Sequence, residues 1–495
     1  MKQITKLIIS LVVITLPNVH TVTAQSAFEK YATEQRAAFA DYKQQKGEDF
    51  KRYSDSLNLA FASYLEKEWK NYDLQKPKPL IEKSVVTPPI YDNTTPPPTP
   101  EEVLVLSSPI VLEPVTPKPE YEPQPAPKPQ NSISTVFFGT SIGLKNITLP
   151  SVRLSGITEK DIAQYWKMLT GIPYTDMTDD VGRIKSELRL NDWGVYQLLN
   201  SLFKVYFSSG TNNEQVIYSV FMLNQLGYRA KIGRNGNQLI PLVAFKQDVY
   251  NSLYFMYGGN NAIKYSALNS SQKYLSEIQT CAIDYVETLK SMDLSVMTSP
   301  RFAVQAENKT LTTKQGSFPV KYNRNIVDFY TNYPCAHFSI YGEAALDAVL
   351  QQSIEEQLRP LVAGKSQEEA VNLLLHFVQN AFKYKTDEEQ FGYEKWFFAE
   401  ETIASSYSDC EDRSVLFAQL VRSLLNMPVV LVYYPGVHLA TAVKFSNPAT
   451  IGDYLMIDND KYLICDPTYI NANLGMSMPD LRNSNVEVVK LNPYW

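Results

Sequence analysis

Two apolar periodicities divide this chain. Between residues 26 and 74 the unit Phe-x-x-Tyr returns every eleven residues, at Phe28, Phe39, Phe50 and Phe61 and at Tyr31, Tyr42, Tyr53 and Tyr64. Eleven residues make three turns at about 3.67 residues each, so the rings form one nearly straight stripe on a helix of about 70 Å. Glu, Lys, Gln and Asp fill the other faces. A lone helix has nothing against which to bury such a stripe, which therefore reads as a surface for self-association or for docking on an envelope partner. Ahead of it, Met1–Lys6 carries two lysines and Leu7–Leu16 is an apolar run too short to span a bilayer. Val22-Thr23-Ala24 then sets small residues before Gln25, completing the three-part pattern of a signal peptide over 1–24.

The stretch 75–130 changes character. Sixteen of the thirty prolines fall between Pro77 and Pro129, among Lys, Glu, Thr and Val. Such a sequence favours extended polyproline geometry over packing and predicts a disordered, proline-rich linker acting as a spacer. Beyond it the patterning is that of an α+β protein. Ser366-Gln-Glu-Glu opens a helix with Val371, Leu374, Leu375, Val378 and Phe382 on one face. Phe391, Tyr393, Trp396, Phe397 and Phe398 mark an irregular aromatic loop, and Leu416, Leu420 and Leu424 return at helical spacing. Pro428 stops that helix. Val429–Tyr434 reads as a buried strand, Pro435-Gly436 as a turn, and Leu439–Phe445, Asp453–Ile457 and Lys461–Asp466 as further strands.

Candidate chemistry sits at the ends of these elements. Ser408 or Asp409 is a good N-cap, which places Cys410 in the first helical turn, where the helix dipole favours a thiolate. His438 opens one strand and Asp466 ends another, each 28 positions beyond the preceding candidate. A thiol nucleophile needs a base, and the base needs an orienting acceptor; Cys410, His438 and Asp466 supply these roles when the strands are adjacent. His337 and His376 lack such a setting and read as structural. Cys465 faces away from Asp466 on the same strand and reads as core.

From Gln367 to Leu481 the chain resembles the transglutaminase-like superfamily, a branch of the papain-like cysteine fold. The likeness is carried by Cys410-Glu-Asp-Arg-Ser, Gly436-Val-His438 and Asp466-Pro-Thr468. It implies a Cys-His-Asp triad that hydrolyses or transfers amide bonds through a thioester acyl-enzyme, with no metal and no organic cofactor. It also implies an oxyanion held by the backbone N–H of the cysteine and a second donor, for which Trp396, Tyr407 and Gln390 are the candidates.

A fainter copy lies two hundred residues upstream. Gly236-Asn-Gln-Leu-Ile-Pro-Leu-Val-Ala-Phe245 aligns with Gly436-Val-His-Leu-Ala-Thr-Ala-Val-Lys-Phe445, and Tyr254 with Tyr454. Asn213-Glu-Gln precedes a helix as Cys410-Glu-Asp does, after a three-residue shift, and Leu199-Asn-Ser-Leu-Phe-Lys resembles Val378-Gln-Asn-Ala-Phe-Lys. The triad positions then read Asn213, Gln238 and Ser266, which offer no thiol, imidazole or carboxylate. β-rich stretches, Thr135–Leu154 and Ser295–Ile340, lead into the two copies. The expected architecture is α+β, with a long N-terminal helix (26–74) and a Pro-rich linker (75–130) ahead of two tandem papain/transglutaminase-like units. These are a degenerate unit (131–290) and a catalytic domain (346–495), separated by a β-rich segment (291–345).

Composition narrows the function. Of 495 residues, 44% are hydrophobic and 20% charged, which is ordinary for globular proteins, and a formal net charge of −6 leaves no basic footprint for nucleic acid. Export would allow disulfides among Cys281, Cys335, Cys410 and Cys465; a Cys281–Cys335 bridge stays open, and the lack of a C-x-x-C pair argues against structural zinc. The leading expectation is an exported cysteine peptidase, amidase or transamidase acting on a protein or peptide substrate in a bacterial periplasm or outside the cell. The alternative is a non-catalytic cell-envelope scaffold that binds partners through the aromatic helix and the papain-like domains. No transmembrane span is expected after signal cleavage.

Overall fold

The computed structural model describes residues 47–81, 87–92, 94, 99–105, 132–147, 149, 153–258, 262–268, 275–286, 289–482 and 484–491. The signal-peptide segment, Phe28, Tyr31, Phe39 and Tyr42 lie outside these residues. The chain divides into two compact units, Met1–Ala60 and Phe61–Trp495. Residues 47–60 of the first and 61–65 of the second are helical, and together they are named α1 (47–65).

The aromatic helix ends earlier than its periodicity suggests. The backbone leaves helical geometry after Leu65, and Trp69–Asp73 forms strand β1, at the edge of a sheet rather than on a helix extending to 74. Only Trp and Tyr in Trp-Lys-Asn-Tyr-Asp favour strands, so pairing with the open edge of β8 rather than the segment's own propensity fixes it as a strand. The stripe is also broken up by packing. Phe61 is buried, with its ring edge-on to Trp166 at 5.1 Å and to Tyr285 at 5.4 Å, whereas Tyr64 is 48% exposed. Phe61→Ala should therefore cost about 3–5 kcal/mol, and Tyr64→Ala less than about 0.5 kcal/mol, as read by urea denaturation. Equal costs would mean that Phe61 does not anchor this region.

The remaining elements run β2 (Ser132–Phe137), β3 (Thr140–Lys145), α2 (Glu159–Gly171), α3 (Tyr174–Glu187), α4 (Asp192–Tyr206), α5 (Asn212–Gln225), β4 (Ala230–Asn235), β5 (Gln238–Ala244), β6 (Tyr254–Tyr257), β7 (Ile263–Ala267) and β8 (Glu277–Cys281). A second series follows: β9 (Ala306–Thr313), β10 (Gly316–Asn323), α6 (Arg324–Tyr330), α7 (Phe338–Gly342), α8 (Ala348–Val362), α9 (Gln367–Ala381), β11 (Lys383–Tyr384), α10 (Asp387–Phe391), α11 (Ala399–Ala404), β12 (Tyr407–Ser408), α12 (Cys410–Leu420), β13 (Val429–Tyr434), β14 (His438–Lys444), β15 (Tyr454–Ile457), β16 (Asp460–Cys465) and β17 (Glu487–Lys490). The protein is α+β. The segment expected to be β-rich, Ser295–Ile340, holds one hairpin, β9–β10, and then turns helical at α6, where Asn323 caps the first turn. A hairpin thus opens each series, β2–β3 in the first and β9–β10 in the second.

Apart from the added edge strand β1, the two main sheets share an order and a register. One runs β1-β8-β4-β5-β7-β6 and the other β17-β13-β14-β16-β15. Asn235 pairs with Gln238 where Tyr434 pairs with His438, and Val243 pairs with Ser266 where Val443 pairs with Leu463. Tyr254 meets Ser266 as Tyr454 meets Leu463, and Gly233 meets Thr280 as Val432 meets Val488. This register corrects one expected position. Ser266 corresponds to Leu463, and the counterpart of Asp466 falls on Asn269, outside the described residues. The offset of two hundred holds in β5 and β6 but shortens by three residues in β7, because the loop before β7 is three residues longer than the one before β16.

The described parts of the Pro-rich segment do not form a free spacer. Gln75 bridges Tyr254, Ile81 bridges Gly436, Ile90 bridges Ile470, Glu102 bridges Tyr454 and Val105 bridges Val486. Val103 is buried with Val430, Val432 and Leu455. Proline favours an extended backbone, and apolar residues interspersed among the prolines anchor that backbone to the sheets. Residues 106–131 lie outside the described set. No described helix is long and apolar enough to cross a membrane.

Candidate active site

The site forms where α9, α12, β14 and β16 converge. Ser366 caps α9 through the Glu369 N–H at 3.2 Å, fixing a helix whose inner face carries Gln379. Asp409 is the N-cap of α12, so Cys410 is its first residue. Asp412 accepts from the Asp409 N–H at 3.4 Å and from the Phe397 N–H at 2.9 Å, tying the aromatic loop to the helix start. Ser414 Oγ donates to the Leu439 carbonyl at 2.8 Å, which holds α12 against the beginning of β14.

His438 and Asp466 meet across adjacent strands. His438 Nε2 lies 2.9 Å from Asp466 Oδ2, and both side chains are buried. With Nε2 bonded to the carboxylate, the proton belongs there and Nδ1 is left as the basic nitrogen. Nδ1 is buried and has no hydrogen-bond partner. Asp466 is itself immobilised, its Oδ1 accepting from the Thr468 N–H at 2.9 Å and the Tyr469 N–H at 3.3 Å. Gln379 Nε2 donates to the carbonyls of Asp466, Tyr469 and Ala472, and its Oε1 accepts from the Asn471 N–H at 3.0 Å. One buried amide thus staples the whole Asp466 loop.

The thiol is bonded to a neighbouring carboxyl. Cys410 Sγ donates to Glu411 Oε2 at 3.0 Å, and Cys410 is fully buried. Burial, and then the Glu411 and Asp409 carboxyls, push the thiol well above its ordinary range, against the Leu439 N–H, which favours the thiolate. This corrects the expectation of a thiol lowered by its position in the helix, because a partial dipole charge is weaker than desolvation plus two nearby carboxyls. The carboxyls are raised for the same reasons: burial and mutual repulsion push Glu411 up to about 8, Asp412 to about 7 and Asp387 to about 11.

The proposed oxyanion donors fare differently. Trp396 Nε1 donates to Glu394 Oε1 at 2.8 Å, and Gln390 Nε2 to the Lys385 carbonyl at 2.9 Å, so both are engaged elsewhere. Tyr407 is 38% exposed. A residue the sequence did not single out, Tyr384, has a buried hydroxyl without a partner. β11 pairs in parallel with β12, setting Tyr384 opposite Ser408, and the Arg413 guanidinium lies 5.3 Å from its ring centre. Burial, and then Cys410, Asp409 and Glu411, push this phenol far above its ordinary range. Arg413 is buried and donates to Ser408 Oγ at 3.0 Å and the Phe382 carbonyl at 2.9 Å. The only sequence hint of Tyr384 was its place between a helix and the aromatic loop.

The other candidates are structural. His337 caps α7 and bonds Ser339 Oγ at 3.0 Å, with burial pushing it down to about 4. His376 is half-buried on α9, and Cys465 is in the core. All four cysteines are free thiols, so no Cys281–Cys335 bridge is present. Among the described residues no group of His, Cys, Asp and Glu is arranged to hold a metal ion. No protein-family model, curated protein or solved structure matches the chain, so the reading of this site rests on its own residues.

Proposed function

We propose that the protein is an exported thiol enzyme of transglutaminase-like type that cleaves or transfers amide bonds of proteins or peptides. The observation that carries this reading is the His438–Asp466 pair at 2.9 Å, with a buried Nδ1 that has no hydrogen-bond partner, on the residue that precedes Leu439, whose N–H meets the Cys410 sulfur. In this reading the thiol leaves Glu411 and gives its proton to His438 Nδ1. The sulfur adds to the substrate carbonyl, and the oxyanion is held by the Cys410 backbone N–H and the Tyr384 hydroxyl. The imidazolium then protonates the departing amine, leaving a thioester. Water yields hydrolysis and an amine yields transamidation. The matching order and register of the two sheets support a duplicated unit whose first copy has lost the triad.

p-Nitrophenyl acetate supplies the test. The folded protein should gain one acetyl group, mapped to Cys410 by mass spectrometry. His438→Ala should slow acylation at least about a hundredfold. Tyr384→Phe should slow it about ten- to a hundredfold without loss of stability, since its hydroxyl has no bond to lose. Absence of acylation at Cys410, or a rate indifferent to His438, would falsify the catalytic reading. The second reading, a binding protein of the cell envelope, draws on the complete burial of Cys410 and its hydrogen bond to Glu411.

A further inference from the structure

The first sheet carries an open cleft where the second carries its buried triad. The cleft has a volume of about 600 Å³ and lies between the start of α5 and the start of β5. That size suits a small ligand or a few residues of an extended chain. Its position corresponds to the candidate active site at atomic detail. Asn213 Oδ1 accepts from the Leu239 N–H at 2.9 Å, as the Cys410 sulfur meets the Leu439 N–H. Gln238 stands at the register position of His438.

The lining chemistry is specific. Among the described residues no charged side chain lines the cleft. Its polar surface is made of primary amides, among them Asn200, Asn213, Gln215 and Gln238, with the Ser219 hydroxyl. Several are held in place before any ligand arrives. Asn200 Oδ1 accepts from Gln215 Nε2 at 3.1 Å and from Ser219 Oγ at 2.9 Å, and Asn213 Nδ2 donates to the Asn237 carbonyl at 3.2 Å. Val216, Ile240 and Leu268 add apolar surface.

We propose that this cleft is a second, non-catalytic site that binds an extended, uncharged stretch of polypeptide. A primary amide offers one donor face and one acceptor face, the complement of a backbone peptide group. The apolar part suits aliphatic side chains. A charged side chain would lose hydration without finding a counter-charge, so the site selects against it. A neutral saccharide is disfavoured because Tyr196, the one aromatic among the described lining residues, is buried and its ring lies against Trp193 at 5.1 Å.

The test uses the full-length protein and an array of N-acetylated, C-amidated heptapeptides built from Gly, Ala, Val, Ser, Thr, Asn and Gln. Titration calorimetry should find saturable binding. Peptides with a central Asp or Lys should bind at least about tenfold more weakly. Gln238→Trp, at an exposed strand end, and Asn213→Leu should each abolish binding, while Cys410→Ala should retain it. The Gln238 variant keeps the test decisive if Asn213→Leu does not fold. No saturable binding up to millimolar peptide would overturn the proposal, as would preference for maltotriose or binding that survives Gln238→Trp. Loss of binding in Cys410→Ala would place the peptide in the other site and overturn it too. Because the readout is binding, it fails or succeeds independently of whether Cys410 is catalytic.

Discussion

Cys410→Ala is expected to reduce amide turnover by at least about three orders of magnitude, since in the proposed mechanism the thiol forms the bond on which every later step depends. The substrate for this measurement is a capped peptide amide, with release of amine as the signal. The fold should survive. Cys410 contributes one small buried side chain, whose sulfur donates to Glu411 and accepts from the Leu439 N–H. Its removal takes away a polar group pressed against a carboxyl, so the stability change should stay within about 2 kcal/mol. Serine at the same position keeps the shape but is a far weaker nucleophile and should be equally inactive. Undiminished turnover in the alanine variant would rule out the proposed chemistry. Loss of turnover together with loss of the folded state would not support it, which is why the denaturation curve belongs in the same experiment.

Stability should fall, rather than rise, between pH 6 and pH 8. Glu411 is pushed up to about 8, and Asp412 and Glu400 to about 7, in each case by burial first and then by neighbouring carboxyls. In the unfolded chain these groups ionise near their ordinary values, about 4. The native state therefore binds more protons than the unfolded state throughout the window. Where that holds, unfolding free energy decreases with pH. The contribution is complete below the unfolded values and disappears as pH rises through the folded ones. Asp387, held at about 11, adds to the slope across the whole window. The expected loss is a few kcal/mol in total, since one unit is worth about 1.4 kcal/mol and the groups interact. His337, pushed down to about 4, works in the opposite direction below pH 6.5 and offsets part of the fall between pH 6 and 6.5. Urea denaturation at three pH values reads the effect, and Asp412→Asn should flatten it. A curve rising from pH 6 to 8 would mean that these carboxyls are ionised in the folded state.

The same cluster explains why the thiol rests on Glu411. A carboxyl that holds its proton near neutrality is a compatible neighbour for a neutral thiol, and both are shielded from water. Opening the site to substrate would change solvation for the whole group at once. The segment at Leu80 and Ile81 lies beside this region: Tyr433 Oη donates to the Leu80 carbonyl, and Ile81 bridges Gly436, two residues before His438.

Much of the local structure was legible in the sequence. The capping residues Ser366 and Asp409, the stop at Pro428 and the apolar runs Val429–Tyr434 and Leu439–Lys444 determine their elements through short-range physics. The pairing of His438 with Asp466 was readable because each sits at a strand end, and a strand end has few places to go. The repeat between the two sheets was readable in β5 and β6, where no residue was inserted or lost. It misled at Ser266, since a loop of different length shifts the register without leaving a local mark.

What only the tertiary structure decided depends on contacts between distant segments. The eleven-residue stripe promised one continuous helix, yet Phe61 found Trp166 and Tyr285, while Trp69–Asp73 was captured by β8. The Pro-rich segment read as a spacer because composition measures packing within a segment, not against a neighbouring sheet. The thiol was expected to be lowered, since the helix dipole is visible in sequence, whereas the burial of Cys410 and the convergence of Asp409 and Glu411 on it are not. Tyr384 and Gln379 were invisible for the same reason: one owes its place to a two-residue parallel strand, the other to three carbonyls of a loop about ninety residues away. Periodicity and capping act over a few residues and are written in the chain; desolvation and long-range pairing exist only once the chain has folded.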